Sequence, residues 1–68
     1  MKEFIHLIDN SKETPLERVI SKNHIVSIAK VENGYTQIML SSPINGERNK
    51  YHIITKEPYE KLINRMEE

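Results

Sequence analysis

An α+β fold is predicted for this chain: a small antiparallel meander of five strands, or the open barrel such a ribbon makes on curling, capped by one C-terminal helix. Three observations predict it. Apolar and polar residues alternate with the period of strands over most of the stretch from Phe4 to Thr55. Asn33-Gly34 stands between two runs rich in Ile and Val, and both residues accept the positive φ that a tight hairpin turn demands. The period then changes: Tyr59, Leu62, Ile63 and Met66 fall at the i, i+3, i+4, i+7 spacing of one helical face.

The first strand spans about residues 4–8, with Phe4, His6 and Ile8 on one face and Ile5 and Leu7 on the other. Both faces are largely apolar, so the strand is expected to be covered on both sides. Asp9 to Pro15 is a run of turn-forming residues and reads as a loop. Residues 16–20 read as the second strand, although the Leu16–Val19–Ile20 spacing also fits one helical turn. Ser21-Lys22-Asn23 is a tight connection in which Ser21 can cap a short turn. The third strand covers about 24–31 and the fourth about 35–40, where Thr36, Ile38 and Leu40 alternate with Gln37 and Met39. A polar loop with Pro43 and Asn45-Gly46 leads to the fifth strand at about 51–55. In a meander alternate connections share an end. The 9–15 loop is therefore expected beside the 33–34 turn, and the 41–50 loop beside residues 21–23.

The helix is expected over about residues 58–66. Pro58 suits a first helical position and Glu60 adds negative charge to the first turn. Glu57 and Lys61 form a favourable i, i+4 pair, whereas Lys61 and Arg65 are like charges four apart. Glu60, Lys61, Asn64, Arg65 and Glu67 make up the outer, solvated face.

A chain of 68 residues is one small domain, 1–68, and a domain of that size buries only about 60% of its unfolded surface. Ten basic residues balance ten acidic ones, which lowers the expectation of nucleic-acid binding, since such modules carry an excess of Lys and Arg. Cysteine is absent, so neither a disulfide framework nor a thiolate metal site can form. The apolar stretch near the N-terminus is broken by His6 and is too short for a signal peptide or a membrane span. The composition reads as that of a soluble cytoplasmic protein.

The chemistry-bearing constellations are thin. His6, His24 and His52 each fall on a predicted strand and would offer imidazole ligands to Zn²⁺ only if folding aligned them. No His-x-His spacing supports that, and each is better explained as a half-buried or solvent-facing strand residue. No nucleophile elbow is present. The serines fall mostly in loops, where turn capping accounts for them. Gly34 and Gly46 are the two glycines, too few for a phosphate-cradling loop. No catalytic residue, cofactor, metal or small-molecule substrate is expected, and the chain reads as not an enzyme. Arg48, Lys50 and Tyr51, with Lys22 added by folding, are the candidate interaction residues. Basic groups beside an aromatic can grip a phosphate and stack a base, although with Glu47 beside them a solvated hairpin tip explains them better.

Val19-Ile20, His24-Ile25-Val26-Ser27-Ile28, Thr36 to Leu40 and the closing run Tyr51 to Glu60 resemble the small bacterial flagellar FlbD-like family. The likeness extends from Arg18 to Met66 and consists mostly of hydrophobic pattern. It implies strands, a hairpin and a closing strand that enters a helix. The 9–15 and 41–50 loops are longer than in that pattern, and Pro58 stands where a Ser-type cap is common. A fainter likeness, carried by Ser21 to Ile28 and by Ile54 to Leu62, is to the DNA-binding LytTR domain, which is longer than this chain. It implies nucleic-acid binding through loop basic residues.

The expected function is a non-enzymatic protein-binding or adaptor module, self-associating through the open edges that a meander leaves. The rival is a compact nucleic-acid binder using Lys22, Arg48 and Lys50. A phage-type effector that inhibits a host protein is also compatible with the small size.

Overall fold

The computed structural model describes residues 3–44 and 49–68. Five antiparallel strands form two sheets, followed by one C-terminal helix. The strands are β1 (Phe4–Asp9), β2 (Leu16–Ser21), β3 (Ile25–Lys30), β4 (Thr36–Leu40) and β5 (His52–Thr55); the helix α1 is Tyr59–Met66. Sheet one is β1–β2 and sheet two is β3–β4–β5. No ladder joins β2 to β3 among the described residues, so the expected meander is interrupted there and the sheets do not close. The interruption falls at a 3₁₀ turn, Lys22–His24. His24 belongs to this turn rather than to the third strand. Ser21 precedes the turn at its N-cap, but its side chain makes no capping bond.

Register explains which residues are inside. β1 pairs with β2 without a break from Phe4↔Ser21 to Asp9↔Leu16, so residues 16–20 are strand and not helical turn. Ile5 and Leu7 are buried while Phe4, His6 and Ile8 are exposed. The division of faces is the expected one, but the covering is not. No described element packs over the outer face of the hairpin, and Phe4 remains 54% exposed.

In the second sheet Ile38 opposes Ile53 and Thr36 opposes Thr55, all four buried. The β3–β4 register slips by one residue between the Ile25–Leu40 and Ser27–Met39 pairs, a bulge at Val26. Asn33 and Gly34 take φ of 70° and 78° in the turn that joins the two strands, as their residue types predicted.

The helix seals this core with Leu62, which has no exposed surface, while Tyr59, Ile63 and Met66 are half-buried. Pro58 stands at the N-cap with extended backbone (φ −59°, ψ 144°), one position before the first helical residue where it was expected. The loop after β4 adds an apolar anchor to the core: Ile44 is buried beside Leu40.

The 9–15 loop, expected beside the 33–34 turn, is bonded instead to the end of β5 and to Lys50, a residue of the 41–50 loop expected at the opposite end. The Asn10 N–H donates to the Ile54 carbonyl, and the Lys56 N–H donates to Asn10 Oδ1 (2.6 and 3.1 Å). At the opposite end the Ser41 N–H donates to the His24 carbonyl. The Asn45-Gly46 turn lies outside the described residues.

Candidate functional site

The two sheets are held together by charged groups that lie partly inside, and these determine what surface is left for a partner. Asp9, the last residue of β1, continues the inward series of Ile5 and Leu7 and is 1% exposed. Its carboxylate accepts bonds from the Ser11 N–H and hydroxyl (3.0 and 2.6 Å) and from Arg18 Nε (2.8 Å). Lys50 Nζ lies 3.7 Å from Asp9 Oδ2 and donates to Ser11 Oγ. Burial alone would push the Asp9 carboxyl up. The hydrogen bonds from Ser11 and Arg18, followed by the Lys50 charge, more than offset it and hold the group at about 2. This cluster ties β1 to β2 and to the segment that enters β5.

A second clasp fastens the helix to the first sheet. Arg65 donates through Nη1 to Glu57 Oε1 and through Nη2 to the His6 carbonyl. Glu57, which lies before the N-cap Pro58, pairs with Arg65 two turns on and not with Lys61 as expected. Arg65 is accordingly half-buried and not part of the wet face. His6, Ile8, Thr55, Glu57 and Arg65 line a cleft of about 470 Å³ between β1 and the end of β5. Glu57 Oε2 has no partner there among the described residues.

The candidate interaction residues are distributed between these clasps. Lys22 Nζ donates to the Arg65 and Glu68 carbonyls (3.1 and 3.2 Å), where a cation complements the helix C-terminus. Lys50 is bound to Ser11 and Asp9. Tyr51 is 41% exposed, and Arg48 lies outside the described residues. The ammonium groups of Lys22 and Lys50 thus have different internal partners and are not directed at one phosphate. The histidines are likewise separate: His6 faces outward from β1, His24 Nδ1 lies 3.3 Å from Ser41 Oγ, and His52 opposes Met39. Among the described residues no group of three or more His, Asp or Glu side chains is gathered as a ligand set. No described helix is long and apolar enough to cross a membrane.

What the fold does present is strand edge. The Lys22 N–H donates to the Glu3 carbonyl, which makes Glu3/Lys22 a hydrogen-bonded pair. Alternation along the register then assigns the same role to Ile5/Ile20, Leu7/Arg18 and Asp9/Leu16. Glu17, Val19 and Ser21 therefore turn their backbone N–H and C=O groups away from β1, and no described strand lies against that edge. A cleft of about 290 Å³ runs beside it, lined on the far side by His24, Leu40, Pro43 and Ile44. The outer edge of β3 is open as well.

Phe4, Ile8 and Val19 are exposed on the outer face of the β1–β2 hairpin. Sequence reasoning anticipated open edges but missed this patch, because it covered both faces of β1. It also missed the Asp9 cluster by ending the strand one residue early. No family model, curated protein or solved structure matches the chain; the flagellar and LytTR resemblances rest on the residues quoted for them.

Proposed function

We propose that this chain is a non-enzymatic binding module that takes an extended segment of a protein partner onto an open strand edge. The observation that carries the reading is the β2 edge. Glu17, Val19 and Ser21, the outward-turned residues of β2, offer backbone groups that no described strand pairs, beside a cleft with an apolar wall of Leu40, Pro43 and Ile44. Main-chain bonds to such an edge supply affinity, and alternate side chains entering the cleft supply selectivity. The rival, nucleic-acid binding through Lys22, Arg48, Lys50 and Tyr51, draws less support, since the Lys22 and Lys50 ammonium groups have partners within the fold.

Displayed libraries of short extended peptides, selected on the folded chain, test the reading. A selected peptide is expected to slow hydrogen exchange at the outward amides of β2 or β3. Selection that yields no binder, or binders that protect neither edge, refutes it. Fluorescence anisotropy with single-stranded and duplex oligonucleotides tests the rival, whose binding would weaken steeply as salt rises.

A further inference from the structure

We infer that the segment received by the β2 edge is β2 of a second copy, in a two-fold register centred on Val19. The inference rests on the strand-capture reading and identifies its partner.

Of the four sheet edges, those of β1 and β5 meet at the Asn10–Ile54 bond, and β1 gives its His6 carbonyl to Arg65; of the other two, only β2 is regular. Its pairing with β1 is unbroken over all six residues. β3 is bulged at Val26 and ends in Lys30, whose ammonium lies 5.6 Å from the Tyr59 ring centroid. Bulges and charged side chains, lysine above all, protect an edge from further pairing; β2 carries Glu17 and an Arg18 drawn inward to Asp9. It has no bulge and no lysine within its span.

The pairing geometry then selects one register. A strand that pairs with its own copy is antiparallel, and outward-turned residues must oppose outward-turned residues. The two-fold axis must therefore pass through a residue and not between two. Centred on Leu16 or Ser21 it would pair a single residue of β2 with its copy; centred on Glu17 it would stack Glu17 on its copy, and centred on Arg18 it would oppose two guanidinium groups. Centred on Ile20 it would set Arg18 opposite Lys22. Like charges directly opposed are unfavourable.

Centred on Val19, the alignment opposes Val19 to Val19, Glu17 to Ser21 and Arg18 to Ile20, with no like-charge contact. The outer face of the resulting four-stranded sheet gathers Phe4, Ile8 and Val19 of both copies, side chains that the single chain leaves exposed. Zero net charge adds no long-range repulsion between copies.

Sedimentation of the purified chain up to millimolar concentration is expected to show a reversible dimer. Val19→Pro is expected to abolish it while the monomer stays folded. The Val19 N–H points away from β1, so the substitution removes a donor only from the intermolecular ladder. Val19→Cys provides a second readout, since the chain has no other cysteine. Paired Cα atoms about 5.5 Å apart fall within disulfide reach, and mild oxidation is expected to give a linked dimer.

Glu17→Cys alone is not expected to link, because the two copies of residue 17 would lie roughly 13 Å apart. A mixture of Glu17→Cys and Ser21→Cys chains is expected to link. A chain that remains monomeric and gives no Val19→Cys dimer overturns the inference. So does a dimer that survives Val19→Pro. If such a monomer still binds a selected peptide with protection at residues 17, 19 and 21, strand capture stands and only the copy is excluded as partner. If it binds none, both fall.

Discussion

Asp9→Asn isolates the contribution of the buried carboxylate, because the amide keeps the shape and removes the charge. Asp9 is held at about 2 against its ordinary 3.8. A depressed carboxyl contributes stability that is fully present above its unfolded value and is lost as pH falls through its folded value. The window is therefore pH 4 down to about 2. The shift is worth about 2 kcal/mol at neutral pH.

Asn forfeits that contribution and leaves Arg18 Nε, Lys50 Nζ and the amide as neighbouring donors. Arg18 and Lys50 side chains are only 12% and 16% exposed, so water relieves them poorly. The expected loss at pH 7 is about 2–3 kcal/mol. A domain of this length has roughly 3–10 kcal/mol in total, and the melting midpoint should fall by roughly 10–20 °C.

Urea unfolding followed by far-UV circular dichroism, on both proteins at pH 7, 4 and 2, measures the effect. The difference between them should be full at pH 7 and shrink between pH 4 and 2, where Asp9 of the parent takes up its proton, while the remaining carboxylates titrate in both proteins and cancel. A variant within about 0.5 kcal/mol of the parent at pH 7, or a difference that does not change with pH, would refute the assignment of Asp9 as the electrostatic tie between the strands.

Leu62→Ala should destabilise the chain by about 2–5 kcal/mol in the same urea assay, since Leu62 has no exposed surface and plugs the core from the helix side; a loss below about 1 kcal/mol would mean that the helix does not seal it. Arg65→Ala should cost about 1–2 kcal/mol by stripping the Glu57 carboxylate and the His6 carbonyl of their donor. Adding Glu57→Gln should recover part of this, and strict additivity of the two changes would show that the pair is not coupled. Gly34→Ala should cost about 1 kcal/mol, all of it backbone, because φ is +78° while nothing lies within 4 Å of the added methyl. A larger loss would show that the turn is packed against a neighbour.

The elements whose local chemistry acts alone were readable from the residues. Alternation placed β1, β2 and β4 to within one residue, and Asn33-Gly34 announced its own positive φ. The spacing of Leu62 against Tyr59, Ile63 and Met66 gave the buried helix face. What escaped was decided by partners distant in sequence. Asp9 looks like a loop residue because Asp favours turns, yet the parity of Ile5 and Leu7 already points position 9 inward, and Arg18 two residues after Leu16 is the signal that a carboxylate is awaited there. Arg65 looks solvated on a helical wheel, because no local rule foresees a bond to a carbonyl 59 residues earlier. Ile44 sits in a polar loop without periodicity, so nothing short of the tertiary contact with Leu40 marks it as core.

The uncovered face of the β1–β2 hairpin follows from the same scarcity of chain. One eight-residue helix can cover one side of one core, and here it reaches Leu62 into the space between the sheets while Arg65 grips the edge of β1 from the side. Among the described residues no element lies across Phe4, Ile8 and Val19. On the strand-capture proposal their burial comes from a partner's surface, and an unbroken edge beside an exposed apolar face makes β2 the docking place. The charged clasps permit this because they tie the two sheets together from within, so the edge does not have to close onto β3 to keep the fold intact.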